Sequence, residues 1–203
     1  MIIEVFFDVE TKSLFRDITT SDPGGLGISI VSVYKRILDD TLREISGEMK
    51  SFWEKDLPEM WELFRDATRV VGFNTVKFDN PALAPYAPAD FKTLPHFDIM
   101  AHVRQSLGRN LSLATLAQYS LGRDKIDSGL NAVTYYRQGD PESLAKLKMY
   151  CEDDVRITRD LYDYGLKNKY LKYMDQWNTV KELPIDFSYP PEILAAKRQL
   201  GLF

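Results

Sequence analysis

Hydrophobic and polar residues alternate in short runs through the first half of the chain, which is the pattern of β-strands. The apolar run Ile2–Phe7 is typical of a buried strand, and Gly27–Tyr34 alternates isoleucine and valine with small polar residues. Since only a short turn at Asp39-Asp40 separates the second strand from the third, these two must be antiparallel neighbours. The five predicted strands are Ile2–Phe7, Gly27–Tyr34, Thr41–Ser46, Val70–Phe73 and Phe97–Ile99.

Apolar residues at helical spacing become dominant in the second half of the chain. A helical pattern also runs from Phe52 to Phe64, and Asn80-Pro81 begins a helix, because proline is tolerated in a first turn. Gly165 is a typical stop for the last long helix. The later helices are predicted at Met100–Leu107, Ser112–Leu121, Leu130–Arg137 and Pro141–Tyr164.

The tail has a different pattern. Tyr170–Met174 and Thr179–Leu183 flank a turn and predict a hairpin, and Pro190-Pro191 precedes a short helix that ends at Gly201. Strands followed by interleaved and then dominant helices predict an α/β layer fold with a mixed five-stranded sheet flanked by helices.

Composition narrows the classes of function. The chain has 203 residues, 28% of them charged, with a single cysteine and two histidines. These numbers exclude a disulfide framework, a cysteine-rich zinc site and a histidine-built metal site. A formal net charge of −4 argues against a basic surface that coats nucleic acid. The sequence has no spanning apolar run and no signal-peptide pattern at its start, so we expect a cytoplasmic protein without a membrane partner.

The first candidate chemistry is the pair Asp8 and Glu10 at the end of the first strand. Residues i and i+2 of a strand share a face, so both carboxylates point the same way. Close carboxylates repel unless a cation lies between them, and Mg²⁺ and Mn²⁺ prefer carboxylate oxygens. The alternative is a strand that ends in two solvated acids.

Two further acids lie in suitable positions. Asp79 lies between a strand and the helix that opens near Asn80, where an aspartate is also a common helix cap. In the long helix, Asp154 lies beside the apolar stripe, Tyr150 is one turn earlier on the same flank, and Asp153 is predicted on the opposite face. The alternative here is a boundary tyrosine beside a surface acid.

Taken together, Asp-x-Glu at residues 8–10, Asn-x₃-Phe-Asp at 74–79 and Tyr-x₃-Asp at 150–154 resemble the three exonuclease motifs of the DnaQ-like (DEDD) superfamily. The tyrosine four residues before the last aspartate resembles the tyrosine branch, and residues 71–83 and 97–165 resemble the predicted ribonuclease H-like exonucleases found alone or fused to helicases. The resemblance covers residues 1–165 and implies an RNase H-like fold there, with residues 166–203 as an extension packed on the same domain.

The resemblance implies a 3′–5′ exonuclease acting on the 3′ end of single-stranded DNA or RNA, with a helicase or polymerase as a candidate partner. Asp8, Glu10, Asp79 and Asp154 would hold two divalent ions, Mg²⁺ or Mn²⁺, which clamp the attacking and leaving oxygens. Tyr150 would orient the attacking water, since a phenol with a pKa of about 10 is a poor base at neutral pH. The resemblance further implies that the 3′-terminal nucleotide pocket is lined by Thr11, Asn74 and Phe78.

Two other readings of the same residues stay open at this point. A haloacid-dehalogenase-like phosphatase also has two acids after its first strand and a late acidic pair, which Asp8, Glu10 and Asp153-Asp154 partly match. A non-catalytic RNase H-like scaffold is the second alternative. Basic and aromatic residues that could contact nucleic acid are Lys77, Arg104, Arg109, Arg123, Lys125, Tyr135, Tyr136 and Trp177.

Overall fold

The computed structural model describes residues 1–123 and 129–191. Its main sheet has five strands in the spatial order β3-β2-β1-β4-β5, which confirms the mixed α/β sheet. Strand β2 is antiparallel to both β1 and β3, whereas β1, β4 and β5 run parallel. The strands are β1 Ile2–Thr11, β2 Ile28–Leu38, β3 Glu44–Trp53, β4 Arg69–Gly72 and β5 His96–Asp98.

Helices cover both faces of this sheet. The longest, α6, crosses β1 and β2, while shorter helices pack on the opposite face. Among the described residues, no helix is both long and apolar enough to cross a membrane. The helices are α1 Leu57–Phe64, α2 Asp79–Leu83, α3 Ile99–Leu107, α4 Leu113–Leu116 followed by a π-helical turn at Ala117–Leu121, α5 Gly129–Gln138 and α6 Pro141–Asn168.

The alternation of side chains along β1 creates two distinct cores. Val5, Phe7 and Val9 join the core beneath α1 and α2. Phe6 joins the core beneath α6, where its ring meets that of Tyr162 edge-on with centroids 5.5 Å apart. Since residues i and i+2 of a strand share a face, the even-numbered residues of β1 are directed towards α6.

A buried charge network fixes α6 against the start of the sheet. The Arg36 guanidinium donates to Glu4 at 2.7 Å and to both carboxylate oxygens of Asp163, at 2.9 and 2.6 Å. Glu4 and Arg36 are buried, and they belong to β1 and β2 respectively. Such bidentate contacts fix geometry as well as charge, so they set where α6 lies across the two strands.

Several boundaries differ from the sequence prediction. The third strand runs on to Trp53, so Phe52 belongs to the strand and the helix begins only at Leu57. Gly165 does not stop α6, because the helix continues to Asn168 and is followed by the left-handed residue Lys169. The short helix predicted after Pro190-Pro191 lies outside the described residues.

Gly165 has a packing role instead. A Cβ atom built there would lie 2.3 Å from the ring of Phe187, which is fully buried in the tail. The tail also contributes a two-stranded hairpin, β6 Tyr170–Met174 and β7 Val180–Pro184. Leu171, Leu183 and Phe187 belong to the same core cluster as Phe6, so the segment after α6 packs into the body of the protein.

We predict that Gly165→Ala destabilises the protein, although glycine to alanine normally stabilises a helix interior by about 1 kcal/mol. The added methyl group overpacks the contact with Phe187, which typically costs about 1–3 kcal/mol. Urea unfolding followed by circular dichroism measures the change. Adding Phe187→Leu to the same protein should recover part of the loss, whereas a Gly165→Ala variant more stable than wild type would contradict this packing role.

Candidate active site

The first two acids of the site lie within β1 rather than after it. The strand runs to Thr11, because its pairing with β2 extends that far, with a register irregularity between Glu10 and Thr11. Asp8 and Glu10 are therefore two residues apart on the even face, directed towards α6. Glu10 is buried and Asp8 is partly buried, so the sequence alternative of two solvated acids is wrong.

Helix α6 brings the third acid to this pair. The helix runs antiparallel to β1, since Tyr162 meets Phe6 and the Cys151 thiol lies 3.5 Å from the carbonyl oxygen of Asp8. This crossing places Asp154 over the strand end. One carboxylate oxygen from each of Asp8, Glu10 and Asp154 lies within 4.8 Å of the other two.

Tyr150 lies one turn before Asp154 and is buried beside the same cluster. The Asp154 carboxylate is near enough to its hydroxyl to influence the pKa of Tyr150. Burial raises the pKa of Tyr150 far above its usual value, and the negative charges of Glu10, Asp154 and Asp8 raise it further. The phenol therefore stays protonated, and it acts as a hydrogen-bond donor at the edge of the carboxylate cluster.

Asp79 approaches the strand end from the opposite direction. It is the first residue of α2, and its Oδ1 accepts the backbone N–H of Val9 at 3.0 Å. Burial raises the pKa of Asp79, and the charge of Asp8 raises it further. The helix cap is Phe78, which makes no side-chain capping bond, so the alternative that Asp79 serves only as a cap is wrong.

A cavity of about 270 Å³ opens beside these acids. The residues that the family resemblance assigned to a nucleotide pocket, Thr11, Asn74 and Phe78, all lie on its wall. Asn74 has a positive φ of 67°, a conformation that asparagine tolerates better than most residues. The full lining is Asp8, Val9, Glu10, Thr11, Leu14, Phe73, Asn74, Phe78, Asp79 and Val133.

Sequence reasoning missed the apolar part of the cavity wall, which is formed by Val9, Leu14, Phe73 and Val133. Sequence reasoning also missed Asp98. Asp98 is buried at the end of β5 and accepts hydrogen bonds from the loop that carries Asn74. An aspartate immediately before a helical pattern signals a cap, but nothing local indicates that the same carboxylate reaches a loop 22–24 residues earlier in the chain.

Asp153 is not the solvent-exposed acid that its predicted position opposite the apolar stripe of α6 suggests. Its side chain is buried and forms an ion pair with Arg123, which also contacts Asp160 at 3.3 Å. The segment that carries Arg123 covers this side of α6, which helical periodicity alone cannot reveal. Arg123 is thereby occupied within the protein, which disfavours its predicted contact with phosphate.

The other candidate contact residues are scattered. Lys77 is exposed beside Phe78, and Trp177 is 75% exposed in the hairpin turn. Arg104 donates to Asn110, and the Arg109 guanidinium lies over the ring of Tyr173. Tyr135 and Tyr136 are partly buried against the cluster that contains Tyr150. Lys125 lies outside the described residues.

A family model described as the RNase H superfamily matches residues 5–165. The chain belongs to the RNase H superfamily. No curated protein matched the chain. Membership supports a hydrolytic, nuclease-type function and disfavours the haloacid-dehalogenase-like alternative, because the match spans all four acids and Tyr150.

The donor set of this RNase H superfamily domain fits a divalent cation. RNase H-like nucleases use divalent metals, and Asp8, Glu10 and Asp154 offer three converging carboxylate oxygens. Hard cations such as Mg²⁺ and Mn²⁺ take such oxygen ligands. A bound cation also offsets the repulsion between the carboxylates, which burial otherwise makes costly.

We predict opposite effects for the two neighbouring acids of α6. Asp154→Asn should abolish measurable Mn²⁺ binding while leaving stability equal or higher, because it removes one of three repelling charges. Asp153→Asn should leave Mn²⁺ binding intact but cost about 1–3 kcal/mol of stability, because it weakens the charged hydrogen bond to Arg123. Calorimetric Mn²⁺ titration and thermal melting of the metal-free proteins measure the two effects. Loss of Mn²⁺ binding in Asp153→Asn alone would contradict the assignment.

Proposed function

We propose that this domain is a 3′–5′ exonuclease of the tyrosine branch of the DnaQ-like superfamily. It hydrolyses phosphodiester bonds at the 3′ end of single-stranded DNA or RNA. The observation that carries the proposal is the convergence of Asp8, Glu10 and Asp154, from β1 and α6, to within 4.8 Å of one another. Asp79 lines the adjoining cavity together with Asp8 and Glu10.

The metal-binding set in this proposal is Asp8, Glu10, Asp79 and Asp154, which would hold two ions of Mg²⁺ or Mn²⁺. Asp79 is the candidate ligand for the second ion. It lies at the start of α2, outside the cluster of Asp8, Glu10 and Asp154, and it interacts with Asp8. Bound ions of this kind would activate a water nucleophile and stabilise the leaving 3′ oxygen. The positions of the carboxylates would place the bound ions beside the cavity.

Tyr150 orients the attacking water in this scheme. Its hydroxyl lies near Asp154, and burial raises the pKa of Tyr150, which keeps the proton on the phenol at neutral pH. A general base must be deprotonated at the working pH, so the environment of Tyr150 favours positioning over proton abstraction. The two histidines do not compete for this role, since they line a different cavity, where His96 contacts the Phe91 carbonyl oxygen and His102 stacks on Phe97.

The cavity supports an end-directed reaction. Its volume of about 270 Å³ is at the small end of ligand pockets and suits one nucleotide rather than a duplex. Phe78 offers an aromatic face for the terminal base, since bases stack on such rings irrespective of sequence. Thr11 and Asn74 supply polar groups for the terminal sugar, which completes the 3′-nucleotide pocket that we propose.

We also propose that residues 1–165 form the exonuclease unit and that residues 166–203 stand outside its catalytic machinery. The extension contributes none of the four metal-binding acids. Truncation at residue 165 would cut α6 and remove Phe187 from the core, so it does not test the division cleanly. A helicase or polymerase partner and a cytoplasmic location remain part of the proposal.

We predict that the protein degrades 5′-labelled single-stranded oligonucleotides to a descending ladder in Mg²⁺ or Mn²⁺. EDTA should stop the reaction, and Asp8→Ala should remove nearly all activity without loss of stability. Asp40→Ala, in the exposed turn before β3, is the matched control and should retain wild-type rates. Denaturing gels with DNA and RNA measure the products. Mn²⁺ binding without cleavage would instead favour the non-catalytic scaffold.

We predict that Tyr150→Phe lowers kcat on the order of 100-fold, the scale of one positioned catalytic group. Because burial raises the pKa of Tyr150 above the usual phenol value of about 10, we expect no titration of this group between pH 6 and 9. The pH–rate profiles of wild type and Tyr150→Phe should therefore be parallel over that range. A limb near neutral pH that disappears in Tyr150→Phe would show that the phenol acts as the base.

A further inference from the structure

The carboxylate of Asp98 joins two parts of the fold that flank the candidate site. Its Oδ1 accepts the backbone N–H groups of Asn74 at 2.8 Å and Ala101 at 3.2 Å, and its Oδ2 accepts that of Val76 at 3.0 Å. The bond to Ala101 caps α3. The other two bonds reach the loop between β4 and α2, so one buried side chain serves both segments.

The loop that Asp98 holds determines where the cavity residues lie. Asn74 stands in the left-handed region at φ 67°, and its carbonyl oxygen accepts the N–H of Phe78 at 3.0 Å. The carbonyl oxygen of Thr75 accepts the N–H of Asn80 at 2.8 Å. Asp98 thus fixes residues 74 and 76, and the backbone bonds of residues 74 and 75 fix the start of α2, where Asp79 lies.

We infer that Asp98 is a positioning residue that sets the β4–α2 loop so that Asp79 lies against the end of β1, beside Asp8. The inference rests on the proposed function. Asp98 is not among the residues that line the cavity, so it acts through the loop rather than by contact with substrate. A carboxylate that accepts several backbone N–H groups is a strong, directional support, which suits a loop with a strained residue.

Two substitutions of Asp98 distinguish the loss of its hydrogen bonds to the loop from the loss of the α3 cap. Asp98→Asn keeps the size of the side chain but turns an N–H₂ group towards backbone N–H donors, so at least one bond is lost. Asp98→Ser keeps an oxygen that caps α3, since serine is a strong cap, but is too short to reach both loop N–H groups. If Asp98→Asn fails to fold, Asp98→Ser still tests the inference.

Thr68→Val is the matched control. Thr68 is also buried, and its Oγ1 accepts a backbone hydrogen bond from Ile3 at 3.0 Å. It lies just before β4, whereas Asn74 follows the same strand at its other end. The control therefore loses one buried side-chain acceptor without touching the loop.

Amide hydrogen exchange of the metal-free proteins gives the first readout. In Asp98→Asn and Asp98→Ser, the amides of residues 74, 76 and 78 should exchange at least 10-fold faster than in wild type. Calorimetric Mn²⁺ affinity should fall about 10- to 100-fold, the usual effect of losing a group that orients a ligand. In Thr68→Val, neither quantity should change.

Kinetics on a single-stranded oligonucleotide, at a temperature where every variant is folded, gives the second readout. The Asp98 variants should lose about 10- to 100-fold in kcat, and raising the Mn²⁺ concentration should restore part of it. Wild-type Mn²⁺ affinity in both Asp98 variants would overturn the inference. If wild type cleaves nothing but the Asp98 variants still lose Mn²⁺ affinity, the proposed function fails while the positioning role of Asp98 stands.

Discussion

The alternation of side chains along β1 is the constraint on which the rest of the structure depends. Its odd residues complete an apolar core and its even residues face α6, so the strand admits only one register. A slip of one residue would exchange the two faces and bury Asp8 and Glu10 among the rings beneath α1 and α2. Strand β2 prevents such a slip by pairing with β1 from Ile2 to Thr11.

The even face of β1 carries carboxylates at both ends, but the groups that surround them differ. At Glu4, the carboxylate is held by Arg36, which fixes α6 through Asp163. At the other end, carboxylates of β1 and α6 meet one another. The stabilising contacts at the first end and the aromatic contact between Phe6 and Tyr162 hold α6 close enough to enforce that meeting. The fold thereby supports an arrangement that is unfavourable by itself.

Sequence patterns predicted the five strands of the sheet, the pairing of the second with the third, and the spacing of the site residues, because these depend on local periodicity and short turns. Asp8 and Glu10 share a face by strand geometry, and Tyr150 and Asp154 share a flank by helical geometry. Asp153 could not be placed this way, since its burial depends on Arg123, 30 residues earlier. The links of Asp98 to the β4–α2 loop and the contact of Gly165 with Phe187 also depend on residues more than 20 positions away.

The last described segment has a consequence for how the chain reaches this structure. Arg69 holds the carbonyl oxygens of Phe187 and Ser188, and the Tyr189 hydroxyl donates to Glu4, 185 residues away. A contact of such sequence separation forms only after a large loss of chain entropy, and on the ribosome only after residue 189 has emerged. The corner that surrounds Glu4 is therefore completed last, and an arrested or truncated chain leaves it open to water and to other nascent chains.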